Sequence, residues 1–397
     1  MLQIHPPKYV KQILITLQAR GHLAYLVGGC VRDMLMGIPP QDWDICTSAL
    51  PGDVMELFPG SLPTGLKHGT VTVYIGSKSA EVTTFRIDGK YTDHRRPESV
   101  TYVSDLISDL ARRDFTMNAV ALSADGLISD PFGGMSDIRD RIIRCVGVPK
   151  LRYTEDALRM FRALRFSARL GFTIEAETYA AIKECSQLAA AIAPERIRDE
   201  LEKILLSDRC IALADLLSCG LLSAYTDGAE SSIPCFEGLN GAPRKPLHRW
   251  VCFALLLKKH GFVSSAGSFL ASLRLDGRTL RCCTQAEKML EGPPPDTSLG
   301  WKRLLNAYGV DAVSCAVSAY DAVYGKDCEK PFKAVLKSGE CFSLKHLAVS
   351  GDDLLALGLR GQELGQMLKF LLDYVMEYPD NNKKEILLSL VRASEET

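Results

Sequence analysis

The stretch that most limits what this chain can fold into is residues 25–47, YLVGGCVRDMLMGIPPQDWDICT. The apolar run AYLV reads as a short buried strand. It breaks at Gly28 and Gly29 and resumes as a helix over 31–36. A second turn over 37–41 delivers Asp42-Trp43-Asp44-Ile45. Residues two apart on a strand point to one side, so Asp42 and Asp44 are expected to present two carboxylates together at the sheet edge.

The residue types explain what such a stretch can do. Mg²⁺ prefers oxygen ligands, keeps several waters, and is commonly held by one or two carboxylates together with substrate phosphates. Two glycines at a strand-to-helix junction let backbone approach a polyphosphate, and the N–H groups of the following helix attract anions. Two aspartates alone are usually a solvated edge, and a Gly-Gly pair is usually only a turn. The order strand, Gly-Gly, helix with Arg32-Asp33, then Asp-Trp-Asp points instead to nucleotidyl transfer.

The pattern GGxxRD (Gly28, Gly29, Arg32, Asp33) followed by DxD (Asp42, Asp44) resembles the polymerase-β-type nucleotidyltransferases. Among them it is similar to the bacterial-type, class II tRNA CCA-adding enzymes and their poly(A) polymerase relatives.

At 397 residues the chain exceeds one ordinary core and is expected to hold two to four domains. Its 47% hydrophobic and 24% charged residues are those of a soluble globular protein. No apolar run is long enough to span a bilayer, and the start, MLQIHPPKYVKQ, lacks a signal-peptide core, so the expected location is cytoplasmic. Thirteen cysteines are scattered without CxxC pairs, which argues for reduced thiols rather than a disulfide framework or a zinc site. The net charge of −1 excludes a whole-molecule basic footprint, so an RNA surface must be a local patch.

Taken in order, 9–20 reads as an amphipathic helix. In 64–76, Val71, Val73 and Ile75 alternate with Thr72 and Tyr74 as in a half-buried strand, with 79–87 as its hairpin partner. Glu81 on that partner is either a third carboxylate beside the Asp pair or a solvent-facing strand residue. The polar segment 88–97, DGKYTDHRRP, reads as a loop. In the resembled family a flexible loop here separates enzymes that complete the terminal adenosine from those that add only cytidines. Arg86, Asp93, Arg95 and Arg96 would be its substrate contacts, and the length of the loop favours full CCA addition.

Next, LARRDFTMNAVA over 110–121 resembles the family's RRDFTxNA motif, which implies ribose and triphosphate recognition by Arg113, Asp114 and Asn118. Residues 130–147 are expected to give a Gly-rich turn and a strand returning to the sheet. Residues 153–172 read as one helix with Thr154 as N-cap and Glu155 and Asp156 in its first turn. Asp156, Arg159 and Arg162 recur every three residues along one side of it, able to offer an acceptor and donors to a base edge. Carried over from the family, EDxxR implies that Asp156 and Arg159 select CTP and ATP without a nucleic-acid template. A helix over 192–207 would buttress them, with Glu195, Arg196 and Arg198 structural.

Composition shifts at 226–246 and again at GPPPDTS, 292–298, and helices fill the remainder. Lys258, Lys259, Arg274, Arg278, Arg281, Lys302 and Arg303 are candidates for tRNA backbone contacts, against the commoner reading of solvated helix faces.

The expected fold is α+β: a polymerase-β-like head with a small mixed sheet and helices over 1–148, then an all-α neck (149–225), body (226–298) and tail (299–397), elongated. The resemblance implies stepwise addition of C, C and A to the tRNA 3′ end from CTP and ATP, with Mg²⁺ held by Asp42 and Asp44. No membrane partner and no obligate protein partner is expected. A poly(A) polymerase, a partial CC-adding or A-adding enzyme, and an RNA-binding protein that has lost catalysis stay open as alternatives.

Overall fold

The computed structural model describes residues 6–89, 99–227 and 232–395, and the chain divides into two compact units, Met1–Ala224 and Tyr225–Thr397. In the first unit the apolar run is strand β1 (Ala24–Val27), and it is apolar throughout because both its faces are covered. On one side Leu26 packs with Val10, Ile13, Leu14 and Leu17 of helix α1 (Lys8–Ala19), spaced at helical period. On the other, Val27 packs with Cys46, Phe85 and Leu110.

The glycine break opens α2 (Gly29–Leu35), and β2 (Asp44–Thr47) returns antiparallel to β1. After α3 (Pro51–Leu57) and β3 (Leu62–Gly65), strands β4 (Thr70–Ile75) and β5 (Lys78–Thr84) form a hairpin. Val71 and Val73 are fully buried and Tyr74 is exposed, the alternation of a sheet covered on one face. Strand β5 lies parallel to β2 with Glu81 opposite Asp44. Strands β6 (Arg86–Asp88) and β7 (Val100–Tyr102) make a separate ribbon. Helix α4 (Leu106–Ala111) is capped by the Asp105 carboxylate, and β8 (Ala121–Ser123) and β9 (Ile128–Ser129) finish the sheet. The seven-stranded order is β3-β4-β5-β2-β1-β8-β9, mixed because only the β2–β5 pair is parallel.

Two expectations are corrected downstream. Residues 130–147 do not return a strand to this sheet. Asp130 accepts from the N–H groups of Gly134 and Met135 and starts α5 (Gly134–Asp140). The two-residue strand that follows, β10 (Ile142–Ile143), pairs in parallel with β11 (Thr173–Ile174). Nor is 153–172 one helix. It is α6 (Pro149–Glu155) and α7 (Leu158–Leu170), broken where Asp156 is extended at φ −136°, ψ 101°. The Asp156 carboxylate accepts from Leu158 N at 3.1 Å and so starts α7, a short polar side chain competing with helix backbone as aspartate does. Thr154 is no N-cap, since its hydroxyl bonds back to the Lys150 carbonyl within α6. Helices α8 (Ala176–Cys185), α9 (Pro194–Leu205) and α10 (Ala212–Ser218) follow, and α9 lays buried Ile197, Leu201, Ile204 and Leu205 against the unit as its apolar pattern predicts.

The regular structure of the second unit, among the described residues, is helical: α11 (Pro246–Lys259), α12 (Ala266–Ser272), α13 (Gly277–Met289), α14 (Ser298–Tyr324), α15 (Glu329–Ser338), α16 (Gly351–Ala356), α17 (Gly361–Glu377) and α18 (Lys384–Glu395). Every residue from 250 to 257 in α11 is buried, which makes it the central helix. Helix α14 kinks at Gly309, where φ is 77°. Several of the basic candidates here are not solvated: Lys302 is 2% exposed and pairs with Glu340 at 2.6 Å, and Lys259 donates to the Val323 carbonyl. Among the described residues no helix is long and apolar enough to cross a membrane.

Candidate active site

A cleft of about 510 Å³ in the first unit is lined by the β1–α2 turn, the start of β2, the end of α4 and one side of α7. The turn is set by Gly28, at φ 77° and ψ −140°, a conformation open to glycine and strained for other residues. A β-carbon there would lie 3.3 Å from both Asp44 Oδ2 and Arg113 Nη1, so glycine is also what lets these two side chains approach the turn.

Asp42 and Asp44 both line the cleft, but not as two residues of one strand. The turn through Pro39 and Pro40 runs on to Asp42, and pairing with β5 begins only where Glu81 N donates to the Trp43 carbonyl, 2.9 Å. Burial pushes the Asp44 carboxyl above its ordinary range, Arg113 pulls it back, and Glu81 and Asp42 push it up again. Glu81 acts on Asp44 from β5 but lines a neighbouring cavity, which Asp42 also borders. Among the described residues no three His, Cys, Asp or Glu side chains gather to hold a metal. The pair that does meet offers hard carboxylate oxygens, beside a buried Arg113 Nε with no hydrogen-bond partner, and this donor set suits Mg²⁺ shared with a bound triphosphate.

The cationic side of the cleft is tied together by hydrogen bonds. Arg32 donates to Asp33 at 2.6 Å and 2.9 Å and to Asn118 Oδ1 at 2.9 Å, and Asn118 Nδ2 donates to Asp114 Oδ1 at 3.1 Å. Arg162 grips Asp114 Oδ2 at 2.8 Å and 2.6 Å. Burial acts to raise the Asp114 carboxyl, yet the Arg162 charge and the hydrogen bonds from Asn118 and Arg162 hold it well below the carboxylate range. Arg112 and Arg113 are both anchored by Asp109, which is fully buried. There burial is outweighed by the two guanidinium groups, and the carboxyl sits low.

The base-reading candidates stand apart from this cavity wall. Asp156 is paired with Arg196 of α9 at 3.2 Å and 3.4 Å. Arg159, 8% exposed, donates to Glu155 at 2.7 Å and to the carbonyls of Arg152 and Arg112. Neither lines the 510 Å³ cleft, whereas Arg162, Arg165 and Arg169 of the same helix do. Arg86 does not belong to the loop: it lies in β6, pairs with Asp88 at 3.1 Å and donates to the His68 carbonyl. Asp93, Arg95 and Arg96 fall outside the described residues.

Sequence reading missed Asp109, Phe166, Arg165, Arg169 and the grip of Arg196 on Asp156. The signal for two of them was present, because Arg165 and Arg169 continue the Asp156–Arg159–Arg162 stripe at helical spacing. The ring of Phe166 meets the guanidinium carbons of Arg165, Arg32 and Arg162 at 4.2, 5.2 and 5.6 Å and keeps them together at the cleft wall.

A mixed sheet carrying two adjacent aspartates at its edge, a glycine turn beside them and an arginine-rich wall define a nucleotidyltransferase head. The family model described as "Poly A polymerase head domain" matches residues 24–144, and "Probable RNA and SrmB- binding site of polymerase A" matches 171–225. The chain is 39% identical to the CCA-adding enzyme of Geobacillus sp. (strain WCH70) over 86% of its own length and 85% of that protein's. It is 49% identical to the CCA-adding enzyme of Lactiplantibacillus plantarum over 96% and 95%. A crystal structure of the Bacillus stearothermophilus CCA-adding enzyme in complex with CTP superimposes with a TM-score of 0.79 at 33% identity, covering 99% of this chain and 100% of that one. The chain belongs to the bacterial-type, class II CCA-adding enzyme family.

Proposed function

We propose that this protein adds C, C and A in turn to the 3′ end of tRNA, in the cytoplasm, using CTP and ATP and releasing pyrophosphate. The observation that carries the reading is the meeting of the Asp42/Asp44 pair, the Gly28 turn and an arginine wall in one cleft. The relatives that match most of this chain's length are CCA-adding enzymes, and the one solved with CTP shares its fold.

The division of labour follows the chain. The head (1–148) performs transfer, the neck (149–225) selects the base, and the body (226–298) and tail (299–397) hold tRNA. Asp42 and Asp44, with Glu81 as a third carboxylate, hold Mg²⁺, which supplies charge neutralisation for the triphosphate and acidifies the attacking hydroxyl. Gly28 and Gly29 bring backbone to the phosphates, Arg32 and Asp33 shape the turn, and Arg113 donates to phosphate oxygens. Asp114 and Asn118 orient the ribose. The primer 3′-oxygen bonds to the α-phosphorus, the bond to the bridging oxygen breaks, pyrophosphate leaves with that electron pair, and the hydroxyl proton passes to water.

Asp156 accepts from the exocyclic amine of cytosine or adenine, and Arg159 donates beside it. A carboxylate has about four acceptor sites. Leu158 N and the two Arg196 donors occupy three of them, which leaves one on Oδ2 for a base amine. Uracil and guanine offer a carbonyl there instead, costing roughly 1 to 3 kcal/mol per unpaired group.

The test is extension of a tRNA transcript ending at the discriminator base, with Mg²⁺. Growth by two residues with CTP alone, by three with CTP and ATP, and then a stop is the expected result. A halt at two with both nucleotides would mean a CC-adding enzyme, and a long ladder with ATP alone a poly(A) polymerase.

A further inference from the structure

On the far side of Asp42 from the cleft lies a second cavity, of about 740 Å³, whose wall includes Tyr9, Asp42, Trp43, Thr72, Lys78 and Glu81. Asp42 borders both spaces, so the two cavities meet at a carboxylate expected to hold the metal. In-line displacement needs the attacking and leaving oxygens on opposite sides of the phosphorus. If the triphosphate occupies the arginine side, the attacking hydroxyl must arrive from the other.

The wall is chemically suited to that arrival. Tyr9 is a half-buried ring, and Lys78, exposed at the start of β5, places its ammonium 5.5 Å from the ring centroid. An aromatic face with a cation beside it holds a single-stranded nucleotide without reading its base. That is what this reaction requires, since the primer end is first a discriminator base and then cytidine. Burial raises the Tyr9 phenol and the Asp42 charge raises it further, which places the ring's polar end within the field of that carboxylate.

We propose that this second cavity is the subsite for the 3′-terminal nucleotide of the tRNA acceptor strand, with Tyr9 stacking on its base and Lys78 neutralising its phosphate. The inference rests on the proposed function, and it assigns the two cavities to the two substrates.

The experiment is steady-state addition to an acceptor minihelix ending in a normal or an abasic 3′-terminal nucleotide, with wild type, Tyr9→Ala, Tyr9→Phe, Lys78→Glu and Lys78→Arg. Tyr9→Ala and Lys78→Glu should each raise KM for the minihelix about tenfold. KM for CTP should stay fixed, and Tyr9→Phe and Lys78→Arg should recover near-normal values. The abasic end should cost wild type a similar factor and cost Tyr9→Ala nothing more. Lys78 is exposed on a hairpin, so its substitution tests the subsite without risk to folding. A change in KM for CTP, independent losses from the abasic end and Tyr9→Ala, or unchanged minihelix kinetics in Lys78→Glu would each overturn the subsite while leaving CCA addition in place. Wild type adding nothing to either RNA would overturn the parent reading and the subsite with it.

Discussion

Asp44 is buried beside two other carboxylates with only Arg113 to offset them, and its carboxyl is raised in consequence. A carboxyl raised in the folded state binds its proton more tightly folded than unfolded, so above that value it weakens the metal-free fold. Asp44→Asn should therefore raise the melting temperature of the metal-free protein at neutral pH, read by calorimetry. It should also lower nucleotide addition by about three orders of magnitude, from lost charge stabilisation of several kcal/mol, and leave tRNA binding intact. Mg²⁺ titrations at falling pH should need more metal, beginning above the pH at which an ordinary aspartate protonates. Asp114 behaves in the opposite sense. Its folded pKa is depressed, so its contribution is complete above the unfolded value of about 3.9 and is lost as pH falls through the folded one. Asp114→Ala leaves Arg162 unpaired and should destabilise the first unit by about 3 kcal/mol at neutral pH, a difference that shrinks in urea melts below pH 4. Asp156→Ala should lower the preference for CTP over UTP by about tenfold in single-turnover incorporation, since one amine-to-carboxylate contact is lost. Unchanged discrimination would leave Asp156 as only the start of α7.

At the scale of elements, the short connections carry the chemistry and the covered faces carry the stability. Gly28→Ala would strain the β1–α2 turn and crowd Asp44 and Arg113, so addition should fall more than stability, which drops by roughly 1 to 3 kcal/mol. Leu14 of α1 is fully buried against the sheet, and Leu14→Ala should cost about 3 kcal/mol in chemical denaturation while leaving the nucleotide affinity of the folded fraction unchanged. Strands β1 and β4 and helices α1 and α9 were legible because one local pattern sets each: an unbroken apolar run, strict alternation, or helical spacing. The break between α6 and α7 was not. Local propensity permits one helix through Asp156, and the interruption is held by Arg196, forty residues away. Likewise Asp42 reads as a strand residue by alternation, while the Pro39-Pro40 turn keeps it out of the ladder.

Across the whole molecule, two compact units with separate cores predict unfolding that is not a single two-state transition, with a calorimetric enthalpy exceeding the van't Hoff value. What the sequence by itself determined is the head's working order: Gly28 and Gly29 before a helix, Asp42 and Asp44 after it, Arg113, Asp114 and Asn118 downstream. These are set by steric and ligand requirements acting over a few residues, so they survive as spacing. What only the tertiary structure decided is who holds whom. Asp109 beneath Arg112 and Arg113, Asp114 between Asn118 and Arg162, Phe166 under three guanidinium groups and Arg196 on Asp156 are pairings of charges. A charge can be satisfied by any opposite charge the fold brings near, so its partner has no fixed offset along the chain and becomes visible only once the elements have packed.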